Sequence, residues 1–211
     1  MTSKAQWYFD FISPFAYLQF QQLAHIEKEL ELEYVPILFA GLLGHWGHKG
    51  PAEIPTKRHD TYRFCQWYAN THDIAFQMPK SHPFNPLPYL RMCVAQESDR
   101  ETIAQIFSFL WTRRPDPQSD EVIEELAREL GMTNFEEQLN SPSVKNALRQ
   151  NTEQAIAQGL YGVPTLVIGE HRFWGVDQMD MLKAYLSNQD LFENDAHRRI
   201  KNLPTGIARG K

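Results

Sequence analysis

Residues 7–17 read WYFDFISPFAY, and this stretch determines how the predicted fold begins. Aromatic residues alternate with other side chains in its first half, which predicts a largely buried β-strand. Ser13 and Pro14 follow directly. Serine is a favoured N-cap and proline a favoured first helical residue, so a helix should begin here. We expect this helix to extend to about Leu30 and a second strand to cover residues 32–38.

The order strand, helix, strand forms a βαβ unit, in which the two strands lie parallel. Residues 40–54 are rich in Gly, His and Pro and are expected to form a loop. From there to residue 159 the apolar periodicity is mainly helical. Five helices are predicted in this block, at 56–71, 87–97, 100–113, 119–130 and 143–158.

The strand pattern returns at 164–168 and 171–174 around a Gly-Glu turn, which predicts a hairpin, and a last helix is expected at 178–186. The fold class is therefore α/β: a thioredoxin-like four-stranded mixed sheet with a large inserted all-helical domain. We predict a discontinuous thioredoxin-like domain at 1–54 and 159–190, the inserted helical domain at 55–158, and a tail at 191–211. The tail is expected to be mobile from Asp195 onward.

Composition excludes several classes of function. The chain has 211 residues, and 21 Lys and Arg against 26 Asp and Glu give a net charge of −5, which disfavours nucleic-acid binding. Its two cysteines are not in a Cys-x-x-Cys motif, so no disulfide framework or dithiol redox centre is expected. No signal-peptide pattern and no apolar run of membrane-spanning length is found. We expect a soluble, cytoplasmic protein without a membrane partner.

Ser13 is the first candidate site residue. The N-terminus of a helix attracts anions through its free N–H groups and its dipole. In thioredoxins this turn carries a reactive cysteine, whose pKa the same field lowers. A serine hydroxyl cannot form a disulfide, but it can donate a hydrogen bond to the thiolate of a ligand. The alternative is that Ser13 is only a helix cap.

Two further motifs fall at the same end of the predicted sheet. Pro164 stands at the first residue of a strand, where a thioredoxin-like fold places a cis proline. A cis Val163–Pro164 bond would leave the N–H and C=O of Val163 free to pair with a peptide-like ligand. Asp177, just before the last helix, could accept a ligand ammonium group, or it could only cap that helix.

Together these motifs resemble the 2-hydroxychromene-2-carboxylate isomerase family, which belongs to the kappa-class glutathione transferase branch of DsbA-like proteins. The resemblance rests on three motifs: Ser-Pro-Phe-x-Tyr after a strand, Gly-Val-Pro-Thr, and Trp-Gly-x-Asp. A helical insertion separates the first motif from the other two. The resemblance covers the chain to about Leu186.

The resemblance implies glutathione as a cofactor and assigns residues to it. Ser13 would hold the sulfur, and Val163, beside Pro164, would pair with the cysteinyl backbone. Asp177 would bind the γ-glutamyl end, and Lys57 of Pro-Thr-Lys would help to hold the tripeptide.

Three positions depart from the family pattern. Val176 and Gln178 replace an Asn and an Arg typical of the naphthalene-pathway isomerases, so Val176 can offer glutathione only backbone groups. His48 stands nearest in the sequence to the position where the relatives have an Asn. It is therefore a further candidate for contact with glutathione, with Ser13, Val163, Pro164, Asp177, Val176 and Lys57.

The implied activity is isomerisation of 2-hydroxychromene-2-carboxylate-type intermediates of aromatic degradation to the trans-o-hydroxybenzylidenepyruvate. The thiolate would add to the substrate and be released again, so glutathione is regenerated. The expected partner is a small aromatic molecule, and a homodimer is a possible assembly. The alternatives are a kappa-like transferase or peroxidase and a non-catalytic glutathione-binding protein.

Two histidine motifs stand outside this assignment. His45 and His48 have a spacing found in zinc sites, but no third ligand is evident nearby, so no metal is expected. Residues 82–86, His-Pro-Phe-Asn-Pro, either line a pocket or form a rigid linker.

Overall fold

A computed structural model describes residues 3–207 and confirms the thioredoxin-like fold around one mixed sheet. The strand order is β2-β1-β3-β4; β1 and β2 are parallel, and the other two pairings are antiparallel. The strands are β1 Ser3–Phe9, β2 Leu30–Pro36, β3 Thr165–Ile168 and β4 His171–Trp174. The predicted βαβ unit and hairpin are thus both present.

The helices surround this sheet, and most of those described follow one another between β2 and β3. In chain order they are α1 Pro14–Leu23, α2 Phe39–Trp46, α3 Pro55–Thr71, α4 Leu87–Ala95, α5 Arg100–Thr112, α6 Asp120–Glu129, α7 Phe135–Asn140, α8 Pro142–Ala157, α9 Met179–Ser187 and α10 Asp195–Lys201. All five helices predicted for the helical block are confirmed, with ends that differ by one or two residues. Gly131 follows the C-cap Leu130 of α6 and adopts a φ of 67°, as expected of a glycine that ends a helix.

The two faces of β1 bury different side chains because residues alternate along a strand. Trp7 and Phe9 lie in the larger apolar cluster and contact Phe107 of α5. Tyr8 points to the other face, in a smaller cluster that α8 also enters through Ala155. The helical block therefore shares core with the sheet. The predicted boundaries at 54 and 158 remain a prediction, and residues 1, 2 and 208–211 lie outside the described chain.

Several predicted boundaries were wrong, and tertiary packing explains them. β1 ends at Phe9, whereas the alternation of residues 7–12 predicted strand through Ile12, and residues 10–12 form the turn before α1. α1 ends at Leu23 rather than near Leu30, because Leu30 already pairs with Ser3 as the first residue of β2.

Three helices were not predicted. The expected loop at 40–54 contains α2, which packs closely on α8: a Cβ added at Gly41 would lie 2.8 Å from Thr152 Cγ2. α7 and α10 are short, so their sequences give little periodic signal, and α10 occupies part of the tail expected to be mobile. Among residues 3–207, no helix combines the length and the hydropathy required to cross a bilayer.

Candidate functional site

Ser13 lies at the N-terminus of α1 with only 7% of its surface exposed. Its Oγ accepts the N–H of Ala16 at 3.2 Å, so the predicted cap is present. A hydroxyl has two lone pairs and one proton, and this bond uses one lone pair. The proton remains available to donate to a ligand, and the helix N-terminus favours an anion at that position.

Asp10 anchors the turn that precedes Ser13. Its carboxylate is fully buried and accepts the N–H of Ile12 at 3.1 Å and the N–H of Phe39 at 2.8 Å. Phe39 is the first residue of α2, so this side chain connects the starts of two helices. Burial raises the pKa of the Asp10 carboxyl to about 7, while the hydrogen bonds from Phe39 and Ile12 act in the opposite direction.

Val163 and Pro164 lie beside this turn, and the peptide bond between them is cis. β1 and β3 pair with Tyr8 opposite Thr165, so Val163 and Pro164, just before β3, lie at the same end of the sheet as Asp10, just after β1. Among residues 3–207 neither the N–H nor the C=O of Val163 has a hydrogen-bond partner. Two backbone groups at the same end of the sheet as Ser13 are therefore unpaired in the described chain, as pairing with an extended ligand would require.

The loop that carries Asp177 is tied to the same place by backbone and side-chain bonds. The N–H of Gly175 donates to the carbonyl of Pro164 at 2.9 Å, and Gln19 Nε2 donates to the carbonyl of Gly175 at 2.8 Å. Gln19 is buried in α1, and its Oε1 accepts the indole N–H of Trp7 at 2.6 Å. This chain of bonds fixes the loop against the helix that Ser13 begins.

Asp177 is exposed and does not cap α9. That helix begins at Met179, its N-cap is Gln178, and no side chain caps it. The Asp177 carboxylate folds back over Gly175, where an added Cβ would lie 2.5 Å from Oδ1 and where φ is 83°, so glycine is required. Within residues 3–207 this carboxylate accepts no hydrogen bond and remains free for a ligand. Val176 is buried in the core, so its side chain is not available to a ligand.

In the described chain, no hydrogen bond or ion pair joins Lys57 or His48 to Ser13, Val163 or Asp177. Lys57 lies exposed in the first turn of α3, and within the described residues it makes no ion pair. His48 is exposed after α2, whose Trp46 donates its indole N–H to the carbonyl of Leu160 at 2.8 Å. That bond brings the end of α2 close to the segment before Val163. No group of three metal-ligating side chains is found in residues 3–207.

Aromatic side chains form an open apolar surface next to the start of α1. The ring of Phe15 lies 5.9 Å from that of Phe64, which in turn lies 5.6 Å from that of Trp67. Trp67 is 57% exposed and Phe64 is 38% exposed, both on α3. Such rings can cover one face of a flat apolar molecule.

Asp10 and Gln19 are site-building residues that the motif analysis did not identify. Each is a polar side chain in an otherwise apolar stretch. Asp10 lies between the aromatic residues Phe9 and Phe11, and Gln19 lies among the buried positions of α1. That signal was present in the sequence. Their partners, Phe39 and Gly175, could not be identified without the fold, because 29 and 156 positions separate them from these residues.

Comparisons with known proteins point to the same fold. A family model described as a DSBA-like thioredoxin domain matches residues 6–187. The 2-hydroxychromene-2-carboxylate isomerase of Sphingobium xenophagum is 25% identical over 193 residues, which cover 88% of this chain and 99% of that protein. Glutathione S-transferase kappa 2 of Caenorhabditis elegans is 28% identical over 205 residues, with 86% and 91% covered.

A solved structure of a 2-hydroxychromene-2-carboxylate isomerase superposes with a TM-score of 0.78 at 22% identity. The match covers 96% of this chain and 100% of that one. At this level of identity the likeness demonstrates a common fold. The two sequence relatives are an isomerase and a glutathione transferase, and the solved isomerase has the same architecture as this chain.

Proposed function

Because the chain belongs to the DSBA-like thioredoxin domain family, we propose that it is a glutathione-dependent isomerase acting on 2-hydroxychromene-2-carboxylate-type intermediates of aromatic degradation. The product would be the trans-o-hydroxybenzylidenepyruvate. The proposal includes a cytoplasmic location, where glutathione is the main thiol pool.

The observation that carries the proposal is the buried Ser13 hydroxyl at the start of α1. Its Oγ accepts the N–H of Ala16 and keeps its proton for a negatively charged sulfur. The field of the helix N-terminus and this donor would both lower the pKa of a thiol bound there. A serine in place of the thioredoxin cysteine provides this environment without forming a disulfide of its own.

Further groups of the chain suit the rest of the tripeptide. The free N–H and C=O of Val163 suit antiparallel pairing with the cysteinyl residue of glutathione, beside Pro164. The exposed Asp177 carboxylate, which accepts no other described hydrogen bond, suits the γ-glutamyl ammonium group. The buried side chain of Val176 restricts that residue to backbone contacts. Lys57 and His48 are proposed to reach the ligand carboxylates from the rim.

Bound glutathione would supply a sulfur nucleophile that is regenerated in each turnover. The protein would hold the sulfur at Ser13 and orient the flat substrate on the ring surface of Phe15, Phe64 and Trp67. Excluding water from one face of the substrate also strengthens the hydrogen bonds made inside the site.

The test is a mass balance with the purified chain, glutathione and synthetic 2-hydroxychromene-2-carboxylate. An isomerase converts the chromene in the presence of glutathione, ceases to do so when glutathione is removed, and leaves the total thiol concentration unchanged. Stoichiometric loss of thiol into a conjugate would instead identify a kappa-like transferase. Oxidation of the thiol by a hydroperoxide would identify a peroxidase. Binding of glutathione without turnover would identify a non-catalytic binding protein.

A further inference from the structure

The peptide group that immediately precedes Ser13 is held on both sides. The N–H of Ser13 donates to the carbonyl of Asp10 at 3.1 Å, and the carbonyl of Ile12 lies 2.7 Å from Nε2 of His82. A carbonyl oxygen can only accept a hydrogen bond, so Nε2 carries the proton in this contact. The imidazole thus donates to the backbone of the turn that carries Ser13.

Tyr62 of α3 fixes the other ring nitrogen. Its hydroxyl lies 2.6 Å from Nδ1 of His82 and 3.0 Å from the carbonyl oxygen of His82. With Nε2 protonated, Nδ1 of the neutral ring accepts the phenolic proton. Burial lowers the pKa of His82 and the positive charge of Arg58 acts in the same direction, while the hydrogen bond to the Ile12 carbonyl raises the pKa; the net shift is downward and favours the neutral ring.

Aromatic packing leaves the imidazole little freedom. The ring of His82 lies 5.7 Å from that of Trp111 and 5.9 Å from that of Phe84. Trp111 in turn donates its indole N–H to the carbonyl of Phe11 at 3.1 Å. The carbonyls of the two residues before Ser13 are therefore both bound by side chains from the helical region between β2 and β3.

We infer that His82 is a positioning residue, which fixes the Ile12 peptide through Nε2 and thereby the Ser13 hydroxyl and the first turn of α1, while Tyr62 fixes the orientation of the imidazole. The role of this positioning in glutathione binding rests on the proposed function. The contact itself does not, since it joins two groups of the chain. The 82–86 segment thus contributes more than a linker.

Two substitutions of His82 distinguish a role as hydrogen-bond donor from a role in filling space. His82→Leu fills the space but removes the donor, whereas His82→Gln keeps an N–H near the position of Nε2. Amide hydrogen exchange of the ligand-free protein is measured at Ser13 and Ala16, with Val144 in α8 as an internal reference. We expect exchange at Ser13 and Ala16 to accelerate by about tenfold in His82→Leu and to return to within about threefold of wild type in His82→Gln.

Equal exchange at Ser13 and Ala16 in His82→Leu and wild type, or acceleration that includes Val144 equally, would overturn the inference. If His82→Leu does not fold, Tyr62→Phe takes its place, since Tyr62 is only partly buried. An acceleration of about threefold confined to Ser13 and Ala16 is then expected, and wild-type exchange there would overturn the inference.

Glutathione titrations of the same proteins complete the test. The affinity of His82→Leu should fall by about fivefold and that of His82→Gln should be retained, since small displacements of binding groups are costly. If wild type itself does not bind glutathione, the proposed function fails, and the exchange measurement still decides the role of His82.

Discussion

Two helices of this protein begin with the same Ser-Pro dipeptide, at Ser13 and at Ser141, and only the first lies in the candidate site. Each serine caps its helix in the same way: Ser13 Oγ accepts the N–H of Ala16 at 3.2 Å, and Ser141 Oγ accepts the N–H of Val144 at 3.4 Å. Local sequence is thus sufficient for the cap in both places.

The surroundings of the two serines differ. Ser13 is buried and follows a turn whose backbone is bound by Asp10, His82 and Trp111, whereas Ser141 is half-exposed with its Oγ 3.2 Å from that of Ser143. The dipeptide specifies where a helix begins. The side chains brought to it from distant segments determine whether that helix start can serve as a binding site.

The largest effect that would sharpen this comparison concerns Asp10, the buried carboxyl before Ser13. Its pKa is 3.8 in a model peptide and about 7 in the fold, so the unfolded chain releases its proton at lower pH than the native protein does. Wild-type stability should therefore fall as pH rises from about 4 to about 7, by about 4 kcal/mol in total. Asp10→Asn does not titrate at this position. The unfolding free energy of wild type minus that of this variant should therefore decrease by that amount over the same pH range.

Urea unfolding across the range from about pH 4 to about pH 8 measures this difference. Glu137→Gln, an exposed carboxyl in the helix before Ser141, should follow wild type at every pH. Parallel curves for wild type and Asp10→Asn would show that Asp10 does not ionise in this way.

The second effect concerns the link between α1 and the loop of Asp177. Gln19→Leu keeps the approximate shape but leaves the indole N–H of Trp7 and the carbonyl of Gly175 without their partner. Two buried unpaired groups should cost about 2–4 kcal/mol of unfolding free energy. Denaturant unfolding measures the cost, and Gln21→Leu, an exposed change on the same helix, should stay within about 0.5 kcal/mol of wild type. A similar small effect in both variants would contradict the assigned bonds.

The third effect is on binding alone. Asp177→Asn removes the charge but not the shape of the side chain, and Asp177 caps no helix, so the melting temperature should stay close to that of wild type. Glutathione affinity should fall at least about tenfold, because a hydrogen bond to a charged group contributes about 1.5–3 kcal/mol. Calorimetry compares this variant with Asp180→Asn, an exposed carboxyl three residues further on, which should bind glutathione like wild type. Equal affinity in both variants would remove Asp177 from the glutathione site.

The last effect, a small loss of stability, tests the two serines directly. Ser13→Ala and Ser141→Ala each lose one cap, so both should lose about 1 kcal/mol of unfolding free energy. Only Ser13→Ala should also raise the pKa of bound glutathione thiol and slow chromene isomerisation. Thiolate absorbance as a function of pH, measured on both variants, makes the comparison. An unchanged thiol titration in Ser13→Ala would reduce Ser13 to the same role as Ser141.

Short-range patterns in the sequence were sufficient for the sheet, its order of elements and five helices of the helical block. Alternation along β1, the Ser-Pro start of α1 and the Gly-Glu turn of the hairpin depend on contacts between near neighbours, and such contacts repeat in any fold. The same patterns placed Ser13, Val163 and Asp177 at one end of the sheet. They failed for α2. Its glycines are typical of a loop, and the helix packs on α8.

Only the tertiary structure determined how this end of the sheet is held together. Asp10 meets Phe39, Gln19 meets Gly175, and His82 meets Ile12, across separations of 29, 156 and 70 positions. No local propensity encodes such pairs, because each bond forms only after the strands and helices have packed and water has left. The sequence by itself indicated which residues are candidates for the chemistry; the packed fold decided which polar groups are consumed in holding this end of the sheet and which, like the Asp177 carboxylate and the backbone groups of Val163, have no partner in the described chain.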